Sequence, residues 1–398
     1  MRIFGDHEPR TIEQLERCVD AAEGSEGVLC ADGHVGYSQP IGGVVAYREH
    51  LSPSGVGYDI GCGNKAVLTD VTLSDVQPDL PRIMDEVSTH ISFGVGRNDG
   101  RAGDHPVIDE ISDAAFAPQR QLSDLAAKQL GTVGAGNHYV DLFADERDRV
   151  WIGVHFGSRG FGHKTASGFL ALAQGLPFDA RASEGEMDSP PVLLHADSEL
   201  GAGYAEAMTL AGRYAYAGRD VVCAEVCRIL GAEALEEVHN HHNYAWRERH
   251  GERELWVVRK GATPAFPGQR GFVGGSMGDD AVILAGVESD TGAASFYSTV
   301  HGAGRVMSRT EARGRFVKDP ETGKKLRQGG RVRHDEMQAW LRDKGVHLVG
   351  GDLDEAPQAY RRLPDVLAHH AGTVRIEHTL RPFAVVMAGA DVFDPFKD

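Results

Sequence analysis

Ile12, Leu15 and Cys18 recur at helical spacing behind Thr11 and Gln14, a pair that resembles a capping box, so the pattern predicts a surface helix over residues 11 to 22. Glycine-bordered runs rich in Val and Ala predict strands at Ile41 to Tyr47, Lys65 to Val71 and Trp151 to Val154. Small and apolar residues alternate from Ala294 to Val300, which predicts another strand, and Arg375 to Ala388 has apolar strand character. The strongest helical signal covers residues 199 to 230, rich in Ala, Leu, Glu and Arg. Its period puts Cys223 and Cys227 on one face, where they read as core packing. Helices are also predicted at 335 to 344 and 354 to 370, while residues 80 to 130 mix a predicted strand with helices. Chemistry-bearing residues run from position 32 to position 309, so one site draws on both ends of the chain. That predicts a single large α+β domain over residues 1–398.

Composition changes this picture in two places. The 50 glycines sit in short loops rather than repeats, which suggests backbone brought close to a ligand. A formal charge of −17 disfavours non-specific adhesion to nucleic acid or anionic membrane but leaves room for a local basic groove. From Arg305 through Arg333 there are ten Lys or Arg against three Asp or Glu, a stretch that is either a solvated loop or a track for a phosphate backbone. Five cysteines, no basic-then-apolar leader pattern and no apolar run near twenty residues predict a soluble protein of a reducing cytosol, with no membrane partner.

Candidate chemistry gathers in the glycine-rich loops. Asp59 and Cys62 lie between glycines and read either as half of a metal site or as a turn beside a buried structural cysteine. Three residues apart, they reach one centre only if the backbone turns, which Gly61 and Gly63 permit. Asp32 and His34 should lie on a loop at a strand end. The loop from Gly131 to Asp141 can offer backbone N–H groups to an anion, with Asn137 and His138 as side-chain contacts, or it is a plain tight turn. His155 at a strand end suits a metal, Arg159 between glycines suits a phosphate, and His163 reads as structural. Three histidines fall within residues 239 to 242, either a ligand source or a solvated loop. Lys260 and Ser276 are candidate phosphate or nucleotide contacts. His301, again at a strand end, could be approached by a phosphorus centre whose oxygens Arg305 and Arg309 neutralise.

Seven motifs in order, GYDIGCG, GAGNHYVD, HFGSRGFGH, HHNYA, RKGAT, GGSMG and HGAGRVMSR, resemble the RtcB family of GTP-dependent RNA ligases over essentially the whole chain. The resemblance implies mixed β-sheets around a central dimetal cleft, with surrounding helices. It implies two Mn²⁺ ions bridged by Cys62, one completed by His155 and His242 and the other by Asp59 and His138, although the ligand types alone would equally suit zinc or iron. His301 would be the guanylylated nucleophile. Asp32, Asn137, Arg159, Asn243, Lys260, Ser276 and Arg309 would line the phosphate, nucleotide or RNA-end pocket, with Gly302, Ala303, Gly304 and Arg305 beside the nucleotide and Asp141 facing guanine. The implied activity joins RNA 3′-phosphate or 2′,3′-cyclic phosphate ends to 5′-hydroxyl ends, and the implied partners are RNA ends, GTP and an archease-like activator. Three departures stand out: Met387 where the family carries a guanine-contacting lysine, Asp141 in place of a glutamate, and Gly274 in place of a proline. Lys397 in the extended tail could fold back to replace that lysine. The competing readings are a metal-dependent cyclic phosphodiesterase, a nucleic-acid 3′-end capping enzyme, and a non-catalytic RNA-end binding protein.

Overall fold

The computed structural model describes residues 1–398 except 100, 102, 183–186, 319–324, 391 and 393–398, and only the backbone of 325 and 326. Lys324 and Lys397 therefore lie outside the described residues. The architecture is α+β. A five-stranded sheet runs, in spatial order, Arg2–Ile3, Glu26–His34, Ile41–Tyr47, Arg253–Lys260, Asn243–His250. An eight-stranded sheet runs Arg270–Val273, Ala281–Gly286, Val374–Gly389, Tyr139–Ala144, Arg149–Phe156, Gly63–Thr72, Ala234–His241, with His347–Gly351 added in parallel to Val374–Gly389. The chain passes from the edge of the larger sheet to the edge of the smaller one at a single residue, His242.

The helix Glu199–Leu230 covers the larger sheet. Ser198 caps it by accepting from the Gly201 amide, and Gly231 ends it in the left-handed region at φ 65°. Val222, Cys223, Val226 and Ile229 pack against Val67, Val154 and Phe156, each apolar side chain contributing roughly 1.5–3 kcal/mol on full burial. Cys223 is core and Cys227 packs at its margin, as the helical spacing predicts. No helix among the described residues is long and apolar enough to cross a membrane.

The sequence reading needs correction in four places. The first helix is Pro9–Asp20, and Thr11 with Gln14 is no capping box. Glu8 holds the N-cap position without a side-chain bond, while the buried Gln14 amide donates to the Gly36 carbonyl at 2.6 Å. Among the described residues, 80 to 130 hold no strand. Ile83, Met84 and Val87 line one face of the helix Leu80–His90, and Phe93 makes only an isolated bridge to Val133. The run from Ala294 to Val300 is the end of a helix, Asp290–Ala294, followed by Phe296 and Tyr297 at positive φ, so the strand starts only at Ser298. Residues 354 to 370 are broken by Pro357 and Pro364 into two 3₁₀ turns and one short helix, Leu363–Ala368. The final strand, Val374–Gly389, matches its expected span to within a residue.

Candidate active site

Cys62, His138, His155 and His242 each stand at the end of one of four adjacent strands of the larger sheet. Register explains the convergence: Tyr139 pairs with His155, and Gly63 pairs with both Phe156 and His241. Each ligand therefore leaves the sheet at the same edge. His242 is tied down by its amide, which donates to the Cys62 carbonyl at 2.8 Å. Asp59 joins the group because the chain turns back at Gly61, φ 70°, with the Cys62 amide donating to the Asp59 carbonyl at 3.0 Å.

The donor atoms form two triads that share Cys62: Cys62, His155, His242 and Asp59, Cys62, His138, within 4.8 Å of one another in each. Sγ of Cys62 lies 3.4 Å from Nε2 of His155 and 3.8 Å from Nε2 of His138, and the Nε2 atoms of His155 and His242 are 3.3 Å apart. The His155 Nδ1–H reaches the Asn137 carbonyl at 2.9 Å, which leaves Nε2 bare and aimed inward. Burial, reinforced by His138, pulls His155 down to about 3. Burial, with His301 and His155 nearby, likewise holds His242 well below the ordinary imidazole range. Two neutral imidazoles thus meet through their Nε2 atoms at 3.3 Å, and the Nδ1 of His242 is buried without a hydrogen-bond partner. Oδ2 of Asp59 is 3.3 Å from Nε2 of His138 yet makes no hydrogen bond. Burial works against Asp59 ionising, but His138 and Arg159 hold its carboxyl down to about 2. Burial and the Asp59 charge push the Cys62 thiol well up, so a bound cation is what would draw its proton off. The residues present fit a divalent metal ion at either triad, with Cys62 common to both.

His301 faces this centre, its ring edge-on to His242 at 4.9 Å between centroids. Asp32 holds it: Oδ2 lies 2.6 Å from His301 Nδ1 and also accepts the His301 amide at 3.0 Å and the Gly302 amide at 3.3 Å. Burial opposes the charge on Asp32, yet His301 keeps the carboxyl below its usual range. This corrects two expectations. Asp32 sits within the strand Glu26–His34 rather than on a loop, and it is 0% exposed beneath His301 rather than on the cleft surface as a phosphate contact.

The other expected residues line one cleft of about 1800 Å³: Asn137, Asp141, Arg159, Asn243, Lys260, Ser276, Gly302, Ala303, Gly304, Arg305 and Arg309. Several are already engaged. Asn243 accepts from the Gly261 amide, Lys260 donates to the Tyr37 carbonyl and Ser276 donates to Asp279. Arg305 and Arg309 pair with Glu355, and Arg309 and Arg313 with Asp354. Part of the basic stretch is therefore paired; Arg327 too meets a carboxylate, Asp352 at 2.5 Å. Of the three clustered histidines only His242 joins the metal set. His239 and His241 accept from Arg219, which is fully buried and also donates to the Gly61 carbonyl at 2.9 Å and to the Phe156 carbonyl. Arg219 thus ties together the two segments that carry Cys62 and His155. No local pattern marks it, because it lies on an ordinary helical stretch.

Known proteins resemble this chain over most of its length. The profile described as tRNA-splicing ligase RtcB matches residues 18–117 and 104–388. The chain is 32% identical to the RNA-splicing ligase RtcB of Escherichia coli (strain K12), covering 89% of this chain and 88% of that protein. It is 30% identical to the tRNA-splicing ligase RtcB of Thermococcus kodakarensis, covering 90% and 86% respectively. On the extent of these matches, the chain belongs to the RtcB family.

Proposed function

We propose that this protein is an RNA ligase that uses GTP to join RNA 3′-phosphate or 2′,3′-cyclic phosphate ends to 5′-hydroxyl ends. The observation that carries the reading is the Asp32–His301 pair at 2.6 Å beside the two metal triads. An ionised Asp32 keeps the proton on Nδ1, so Nε2 of His301 presents a lone pair and needs no base. That nitrogen attacks the α-phosphorus of GTP; a P–N bond forms, the P–O bond to pyrophosphate breaks, and pyrophosphate leaves. An oxygen of the RNA 3′-phosphate then displaces His301 from the phosphorus, giving an RNA 3′-end capped by GMP. The 5′-hydroxyl attacks that activated phosphate, loses its proton, and GMP departs. A cyclic phosphate is first opened by water in the same cleft.

Two Mn²⁺ ions held by Asp59, Cys62, His138, His155 and His242 would supply charge neutralisation at the phosphates. The partners on this reading are RNA ends, GTP and an archease-like activator. Incubation with Mn²⁺ and α-labelled GTP should give an acid-labile GMP adduct in the parent and none in His301→Ala. His301→Ala should still seal a 3′-end that arrives already carrying GMP. A parent that forms no adduct overturns the ligase reading, and opening of cyclic phosphates without joining would instead identify a phosphodiesterase.

A further inference from the structure

One wall of the cleft is made by alternate residues of two paired strands. Tyr139 and Asp141 share a face of Tyr139–Ala144, and their register partners on Val374–Gly389 are Met387 and Val385. All four line the cleft, whereas the intervening Val140 and Val386 do not. Met277 and Tyr360 extend the same apolar patch. Within it two polar atoms are buried without a hydrogen-bond partner, the Tyr139 hydroxyl and Oδ1 of Asp141. An apolar slot with a few convergent polar atoms is what a heterocyclic base requires. A buried hydroxyl with no partner is costly unless something pairs with it.

The hydroxyl owes its place to Gly274. A Cβ at that position would overlap the Tyr139 oxygen, and the three nearest atoms that such a Cβ would meet all belong to Tyr139. A side chain at 274 would exclude the hydroxyl. Met387, whose side chain offers no hydrogen-bond donor, is directly opposite Tyr139 in the sheet.

We infer that Tyr139 is a base-binding residue of the nucleotide pocket, its hydroxyl hydrogen-bonding the purine base beside Asp141. The inference rests on the proposed use of GTP. A hydroxyl both donates and accepts. Tyr139 therefore tightens purine binding without itself rejecting adenine, and the discrimination between GTP and ATP falls to Asp141.

The test is a double-mutant cycle on nucleotide affinity in the full-length, Mn²⁺-loaded protein, with thermal stability measured alongside. Tyr139→Phe should weaken GTP and ATP binding together, by about tenfold, while the nucleotide-free protein stays as stable as the parent or gains stability. Gly274→Ala should weaken GTP binding in the parent but add little in the Tyr139→Phe background, since both changes remove the same bond. Unchanged GTP affinity in Tyr139→Phe, or strictly additive effects of the two substitutions, would overturn the inference. A parent that binds neither nucleotide would overturn the ligase reading itself, which is a separate result.

Discussion

Two flanks of the cleft carry charge in opposite states. On the strand-end flank, Asp59, Cys62, His138, His155 and His242 bring donor atoms together in two triads that share Cys62, and the nearby cations Arg159 and Arg219 stand outside both. On the arginine flank, Arg305, Arg309 and Arg313 meet Asp354 and Glu355, which are 0% and 3% exposed, so each guanidinium already has a carboxylate, three sharing two. The first flank turns its donor atoms to one another. The second pairs its charges within the protein. Charge lining a cleft is therefore not in itself a binding signal; what counts is whether the fold has already neutralised it.

The largest effect should come from breaking the strand-end flank at its shared atom. Cys62→Ala leaves each triad with two protein ligands, and elemental analysis should fall from two metal ions per chain to none. Two ions retained would mean that Cys62 does not bridge. A smaller loss is expected at Asp32. Asp32→Asn keeps the shape beneath His301 but removes the charge that fixes its tautomer, so the rate of GMP adduct formation should drop by roughly 10²–10⁴. Metal content should stay at the parent level. A parent-like adduct rate would show that His301 does not depend on this carboxylate.

The strand-end flank could be read from sequence because its residues are rare types placed at strand ends between glycines. Asp59, Cys62, His138, His155, His242 and His301 all reach the cleft. The arginine flank was harder to read because the carboxylates that meet Arg305, Arg309, Arg313 and Arg327 arrive from residues 352 to 355. Distance along the chain hides that compensation. The same limit applies to Arg219, whose bonds to Gly61 and Phe156 depend on how a helix crosses a sheet. Thr11 and Gln14 fail for a different reason: a polar pair at capping spacing looks the same whether it meets solvent or a buried carbonyl. Pro357 and Pro364, by contrast, carry in the sequence itself the signal that interrupts a helix between 354 and 370.

The arginine flank offers its own test. If it is self-complete, removing one partner should cost stability and leave the chemistry alone. Glu355→Ala leaves Arg305 without its carboxylate and Arg309 with Asp354 alone, and should lower unfolding stability by about 3 kcal/mol in urea titration. Adduct formation should stay within a few-fold of the parent. Unchanged stability with altered RNA-end binding would mean that these arginines are held for a ligand after all, and the contrast between the flanks would fail.

A pH titration tests whether Asp141 belongs with the uncompensated groups. It is 6% exposed, its Oδ1 has no partner, and burial pushes its carboxyl well above the usual range. In the metal-free, nucleotide-free protein the folded state therefore keeps this proton at pH values where the unfolded chain has lost it. Stability from this group is present below the ordinary carboxyl range and is lost as pH rises from there towards the raised folded value, at up to about 1.4 kcal/mol per pH unit for one proton. Asp141→Asn has no proton to lose. Its stability relative to the parent should thus climb from pH 4 to pH 7, read from urea midpoints at matched ionic strength. A flat difference across that range would mean that the carboxyl ionises in place, with a partner in the fold, and Asp141 would move to the compensated side of the comparison.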